Sequence, residues 1–175
     1  MKLLLLAIGN PGNAYTFTRH NLGVLVLLQL IKLYDSNFKV NGNSYEFLYK
    51  GHEIIVQWTV SYVNTTGGPL GLFMNKNNIQ PHQLMVFFDN LELDFGQWKY
   101  SFGFGTSGHN GLKSIKNSLG GQSYHRIGLG IGHPGDNVSQ YVLEKLPKSQ
   151  LDRVYDVAYD LYKDNILEKL IEKNS

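Results

Sequence analysis

The chain has 175 residues, 42% hydrophobic and 17% charged, with no cysteine. That length and composition suit one buried core and exclude a disordered polymer, a disulfide scaffold, a thiolate metal centre and a cysteine nucleophile. The formal charge of +2 is uneven, +4 over residues 1–150 and −2 over residues 151–175, which permits a polyanionic partner without requiring one.

Leu3 to Ile8 is a short apolar run that stops at Gly9-Asn10-Pro11-Gly12. It is too short for a secretion leader and has no cleavage site behind it, so it predicts a buried strand. No run reaches the roughly 18 apolar residues of a membrane span, and a cytoplasmic protein without membrane contact is expected. Leu22 to Tyr34 is apolar nearly all round and reads as a buried helix. Tyr45–Lys50 and Glu53–Trp58 flank Gly51-His52, a two-residue hairpin turn. Over Thr65–Asn78 the spacing of Leu70, Phe73 and Met74 is helical, but three glycines and Pro69 leave the segment ambiguous.

Leu84 to Phe88 is a second apolar strand, ending at Asp89. Gln97–Phe102 reads as a strand, Gly103–Gly111 as a glycine-rich loop, Leu112–Leu119 as a short helix and Arg126–Ile131 as a strand. Ser139 is placed to cap a short helix ended by Pro147. Ser149, with Asp152 at capping-box spacing, is placed to cap one last helix. On that helix Leu151, Val154, Tyr155, Ala158, Leu161 and Tyr162 form the packing face. Interleaved strands and helices predict an α/β fold, one domain over residues 1–175 with a mixed sheet between helices.

Gly103-Phe104-Gly105-Thr106-Ser107-Gly108 matches G-x-G-x-x-G, but no acidic residue follows about 20 positions on and no P-loop lysine is present. The histidines include no H-x-x-x-H pair, and there is no G-x-S-x-G elbow. No cofactor and no metal are therefore expected. What remains is a set of polar residues at strand ends and helix starts: Asn10, His20, Asn64, Asp89 and Asn110. Histidine with a carboxylate can activate water, and asparagine suits carbonyl recognition. The composite suggests hydrolysis of an acyl bond without a covalent intermediate. Singly, each has a plainer reading: His20 in a helix-capping cluster, Asp89 and the asparagines as turn residues.

Together these residues resemble the bacterial peptidyl-tRNA hydrolase family over essentially the whole chain. Gly9-Asn10-Pro11-Gly12 with Tyr15 and Thr18-Arg19-His20-Asn21 resembles its G-N-P-G-x-x-Y-x-x-T-R-H-N opening. Ser107 through Ile115 resembles G-G-H-N-G-L-K-S-I, and Arg126 through Pro134 resembles R-x-R-x-G-I-G-R/H-P. The resemblance implies a three-layer α/β/α sandwich. It also implies cleavage of the ester joining a peptide to the 3′ ribose of tRNA, which recycles tRNA from prematurely released peptidyl-tRNA. It assigns His20 as the base activating water and Asp89 as its orienting partner. Asn10, Tyr15, Val63, Asn64 and Asn110 would bind substrate. The partner is peptidyl-tRNA, and the protein is expected to be a monomer.

Several positions depart from the family pattern. P-x-T-[FY]-M-N reads Thr59-Val60-Ser61-Tyr62-Val63-Asn64, so Val63 stands where a methionine is usual. Ser101 and Gly128 stand where the family has the two basic residues of its 5′-phosphate grip, leaving Lys99, Lys113, Lys116 and Arg126 as tRNA contacts. The alternative is an RNA-binding relative that keeps the fold and has lost turnover. If the enzyme reading holds, Asp89→Asn is expected to be milder than His20→Ala, because an amide can still orient the imidazole.

Overall fold

A computed structural model describes all 175 residues. The apolar run at the N-terminus forms β1 (Lys2–Ala7), and its side chains alternate between two buried faces, as in a parallel strand covered on both sides. The other strands are β2 (Ser44–Tyr49), β3 (His52–Trp58), β4 (Leu84–Asn90), β5 (Trp98–Gly103) and β6 (Tyr124–Gly130). The sheet order is β2-β3-β1-β4-β6-β5. The four inner strands run parallel, and the edges β2 and β5 pair antiparallel.

Helices cover both faces. On one, Leu3, Leu5, Met85, Phe87, Ile127 and Leu129 pack against α1 (Leu22–Tyr34), α6 (Val154–Lys163) and α7 (Ile166–Lys173). On the other, Leu4, Leu6, Ile8, Leu84, Val86 and Tyr124 pack against α2 (Gly67–Lys76) and α3 (Asn110–Ser118). This is the expected α/β/α sandwich with a mixed sheet. No helix is long and apolar enough to cross a membrane.

Some boundaries differ from expectation. The hairpin turn is Lys50-Gly51, one residue earlier, because Tyr49 pairs with His52 and both turn residues have positive φ, 49° and 80°. The glycine-rich 67–76 segment is helical. Ser139 lies inside α4 (Val138–Tyr141), whose N-cap is Asn137, so it caps nothing. The expected last helix is three: α5 (Lys148–Leu151), α6 and α7. Pro147, not Ser149, precedes α5, and Asn165, left-handed at φ 56°, separates α6 from α7. That break turns Ile166, Leu167 and Leu170 onto the core. On α6 the packing face is Val154, Val157, Ala158 and Leu161, while Tyr155 and Tyr162 are exposed. A phenol can lie along the flank of such a stripe with its hydroxyl in water, and apolar periodicity does not distinguish that from burial.

Candidate active site

Asp89 stands near the carboxyl end of β4, where the parallel sheet opens toward the loops. His20 lies in a single 3-10 turn, Arg19–Asn21, leading into α1. That turn is strapped to the segment after α4. The His20 N–H donates to Val142 O at 2.8 Å, Arg19 N–H to Glu144 O at 3.1 Å, and Leu146 N–H to Phe17 O at 2.9 Å. The Arg19 guanidinium lies 3.9 Å from the centroid of the Tyr141 ring and donates to the Tyr141 carbonyl. Gly23, in the first turn of α1, lets the helix rest directly on β4: a Cβ there would lie 2.7 Å from the Phe87 carbonyl oxygen. Sequence-distant segments are thus fixed with His20 beside Asp89.

The two meet closely, His20 Nδ1 lying 2.7 Å from Asp89 Oδ2. A second imidazole occupies the other oxygen, His109 Nε2 at 2.8 Å from Oδ1. His109 is also the N-cap of α3, its Nδ1 accepting from the N–H groups of Gly111 and Leu112. An Nδ1 that accepts carries no proton, so the His109 proton is on Nε2 and is donated to Asp89. Asp89 then accepts from both rings, with His20 donating through Nδ1–H. The remaining His20 nitrogen, Nε2, makes no protein hydrogen bond and borders the cleft. Burial by itself would raise the Asp89 carboxyl pKa, but His109 and then His20 outweigh it and hold the group well below the usual carboxylate range.

The asparagines gather around this pair. Asn10 is buried; its Oδ1 accepts from Val63 N–H at 2.8 Å, and its backbone is clamped by both ends of the Asn21 amide. Its Nδ2 makes no protein hydrogen bond. Asn64 and Asn110 are exposed, and with Asn10 and His20 they line one wall of the cleft. Asn110 opens α3, so the positive end of that helix faces the cleft, a favourable setting for developing negative charge. Tyr62, 57% exposed, meets Tyr15 edge to face and lines the cleft together with the exposed Leu143. From Asn64 and Asn110 a trough lined by no hydrophobic residue continues past Lys113, Ser114 and Asn117.

His20, Asp89 and His109 are also the three groups whose ligand atoms lie within 4.8 Å of one another. They do not make a free metal site: both Asp89 oxygens are spent on the imidazoles, and His109 Nδ1 is spent on the helix end. The glycine-rich loop is no better a dinucleotide site. It follows an antiparallel edge strand, and the Gly111 and Leu112 N–H groups that would face a pyrophosphate are capped by His109.

The structure brings Asn10, His20, Asn64, Asp89 and Asn110 to one cleft, with Tyr15 at its edge. Val63 borders the same cleft, with its side chain only 2% exposed and its N–H holding Asn10. Lys113 and Lys116 are exposed along α3, and Arg126 lies on β6 with one guanidinium nitrogen on the Gly105 carbonyl. Sequence reasoning missed His109, Asn21 and Tyr62. The signal for His109 was its place three residues before the predicted helix start at Leu112, within reach for an imidazole to cap.

The peptidyl-tRNA hydrolase family model matches residues 4–174. Among curated relatives, the peptidyl-tRNA hydrolase of Rickettsia africae is 36% identical over 98% of this chain and 96% of its own. That of Corynebacterium efficiens is 36% identical over 90% of each. The crystal structure of the Acinetobacter baumannii peptidyl-tRNA hydrolase superposes with a TM-score of 0.81 at 29% identity, covering 98% of this chain and 93% of that one.

Proposed function

The chain belongs to the peptidyl-tRNA hydrolase family, and from that premise we propose how its residues cleave the ester between a peptide and the 3′ ribose of tRNA. His20 Nε2 takes a proton from a water in the cleft as the water oxygen attacks the ester carbonyl carbon. The carbonyl π pair moves to oxygen, and the oxyanion that forms faces the Asn10 and Asn110 amides at the positive end of α3. Collapse of this intermediate breaks the bond to the ribose 3′ oxygen, which leaves with the proton held by His20. The products are a free peptide acid and a tRNA with its 3′ terminus restored. Asp89 holds the imidazole with Nε2 free and balances its charge while the proton is on it.

Asn64 and the Tyr15–Tyr62–Leu143 surface would bind the peptide; Lys113, in the polar trough, with Lys116 and Arg126, would meet tRNA phosphates. Val63 would support substrate binding at the cleft, its N–H holding the Asn10 amide in place. We assign the protein to carboxylic ester hydrolases that work as a one-domain monomer in the cytoplasm without metal or cofactor, recycling tRNA from prematurely released peptides. The observation that carries the reading is the 2.7 Å contact between His20 and a buried Asp89, with Nε2 turned to the cleft. It also disfavours an RNA-binding relative without turnover, for which such a pair has no use. Release of peptide from purified peptidyl-tRNA, with wild type beside His20→Ala, tests it.

A further inference from the structure

The cleft accounts for the ester and the peptide, but not for an exposed aromatic side chain beside it. Phe104 lies in the loop between β5 and α3 and is 45% exposed. Exposing a phenylalanine on a glycine-rich loop brings no core contact in return. Cations lie on the same surface. Lys116 Nζ is 5.4 Å from the centre of the Phe104 ring. Arg126 reaches under the loop to the Gly105 carbonyl, and this is the only hydrogen bond its guanidinium makes. Lys113 is one turn before Lys116 on α3. Lys99 shares the sheet face with Arg126, being paired with Gly128 while Arg126 is opposite Ser101.

None of these four cations takes part in a salt bridge. Gly128 leaves the middle of this face flat, and its place is filled from beside: a Cβ there would lie 2.8 Å from Asn90 Nδ2 and 3.1 Å from Phe88 Cζ. A long basic side chain therefore cannot stand at 128 without displacing Asn90. The charge lies instead around Phe104. Two residues farther along the same loop, Thr106 through Asn110 line the cleft that holds His20 and Asp89.

An aromatic face amid unpaired cations, with no carboxylate bridging them, matches the chemistry of an unpaired nucleotide. The ring stacks on a base, and the amines and guanidinium meet the flanking phosphates. A peptide segment would need an apolar groove or an acidic counterpart, and this surface offers neither. We propose that Phe104 is a stacking platform for an unpaired base near the 3′ end of the tRNA, with Lys116, Lys113 and Arg126 holding the adjoining phosphates. The proposal rests on the peptidyl-tRNA reading of the site and extends it from the ester to the nucleotides next to it.

Two measurements test it. Stacking of one base predicts that Phe104→Ala raises KM for peptidyl-tRNA by about 5- to 150-fold with little change in kcat. The ratio of kcat/KM for peptidyl-tRNA to that for a small peptidyl-nucleoside ester should fall by the same factor. Phe104→Tyr should keep the wild-type ratio, and Phe104→Leu, which keeps bulk without a π face, should not. An unchanged ratio in Phe104→Ala, or a Leu variant equal to the Tyr variant, overturns the proposal. Equal losses on both substrates also overturn it, since the loop would then only support the cleft. Separately, Phe104→Trp should show fluorescence quenching on titration with a single-stranded CCA oligoribonucleotide, beyond any change in the wild type, and none with a blunt RNA duplex. Quenching by neither RNA, or by both equally, counts against stacking. A wild type inert toward peptidyl-tRNA overturns the function instead, and the titration, which needs no turnover, then decides the stacking on its own.

Discussion

Asp89→Asn separates the role of the second histidine from that of the first. In the wild type both Asp89 oxygens accept, from His20 Nδ1–H at 2.7 Å and from His109 Nε2–H at 2.8 Å. An asparagine has one acceptor and one donor in those two places. His109 cannot change its tautomer cheaply, because its Nδ1 accepts from Gly111 and Leu112 at the start of α3. The oxygen of the substituted amide is therefore drawn to His109, and its NH2 group faces His20. His20 must then accept at Nδ1 and carry its proton on Nε2, where the base should be. The charge-assisted bond that is lost is worth about 1.5–3 kcal/mol, and in a comparable His–Asp pair the wrong tautomer costs about 10⁴ in kcat. The expected loss in kcat is about 10²–10⁴, with KM within a few-fold and the fold intact by circular dichroism. Imidazole ¹⁵N NMR should show His20 protonated at Nδ1 in the wild type and at Nε2 in the variant. Adding His109→Ala should let the amide turn its oxygen to His20 and regain activity over Asp89→Asn alone. A single variant within about threefold of wild type, or an unchanged His20 tautomer, would refute this reasoning.

Other consequences can be checked with purified protein. Gly23→Ala places a methyl 2.7 Å from the Phe87 carbonyl oxygen, so it should cost about 1–3 kcal/mol, lower Tm by about 2–12 °C, and reduce kcat by up to about 100-fold by moving His20 off Asp89. The Asp89 carboxyl is held below its unfolded value of about 3.9. Its contribution to stability is therefore present above about pH 4 and is lost as the pH falls through the lower folded value. Urea midpoints should drop steeply with acid in the wild type and less so in Asp89→Asn; parallel profiles would contradict it. Removing Lys113 and Lys116 together should reduce the log–log salt slope of tRNA binding by about 0.7–0.9 for each phosphate contact they make. An unchanged slope would leave them as solvated lysines.

The sheet was legible because its inner strands are short apolar runs that no other element explains. Leu3–Ile8 and Leu84–Phe88 lie close to the bounds of β1 and β4. The C-terminal helices were less legible, since Asn165 in a left-handed conformation breaks a run whose apolar period continues through it. His20, Asp89 and the asparagines stood out by type and by place at strand ends and helix starts. His109 did not, because its effect depends on a tautomer, and the tautomer depends on the N–H groups of a helix that sequence only outlines. That omission is why an amide at 89 looked mild. The part Val63 plays through its backbone was hidden for a related reason: its N–H holds the Asn10 amide, which only the folded chain shows.

The central claim is that His20, held by Asp89, is the base that activates water. Single-turnover hydrolysis of peptidyl-tRNA by His20→Ala at saturating enzyme tests it most directly, since affinity then drops out and only the chemical step is read. Loss of a positioned general base should slow that step by about 10²–10⁴-fold, in a protein that still binds tRNA and unfolds at a Tm close to wild type. A His20→Ala protein that releases peptide at nearly the wild-type rate would contradict it.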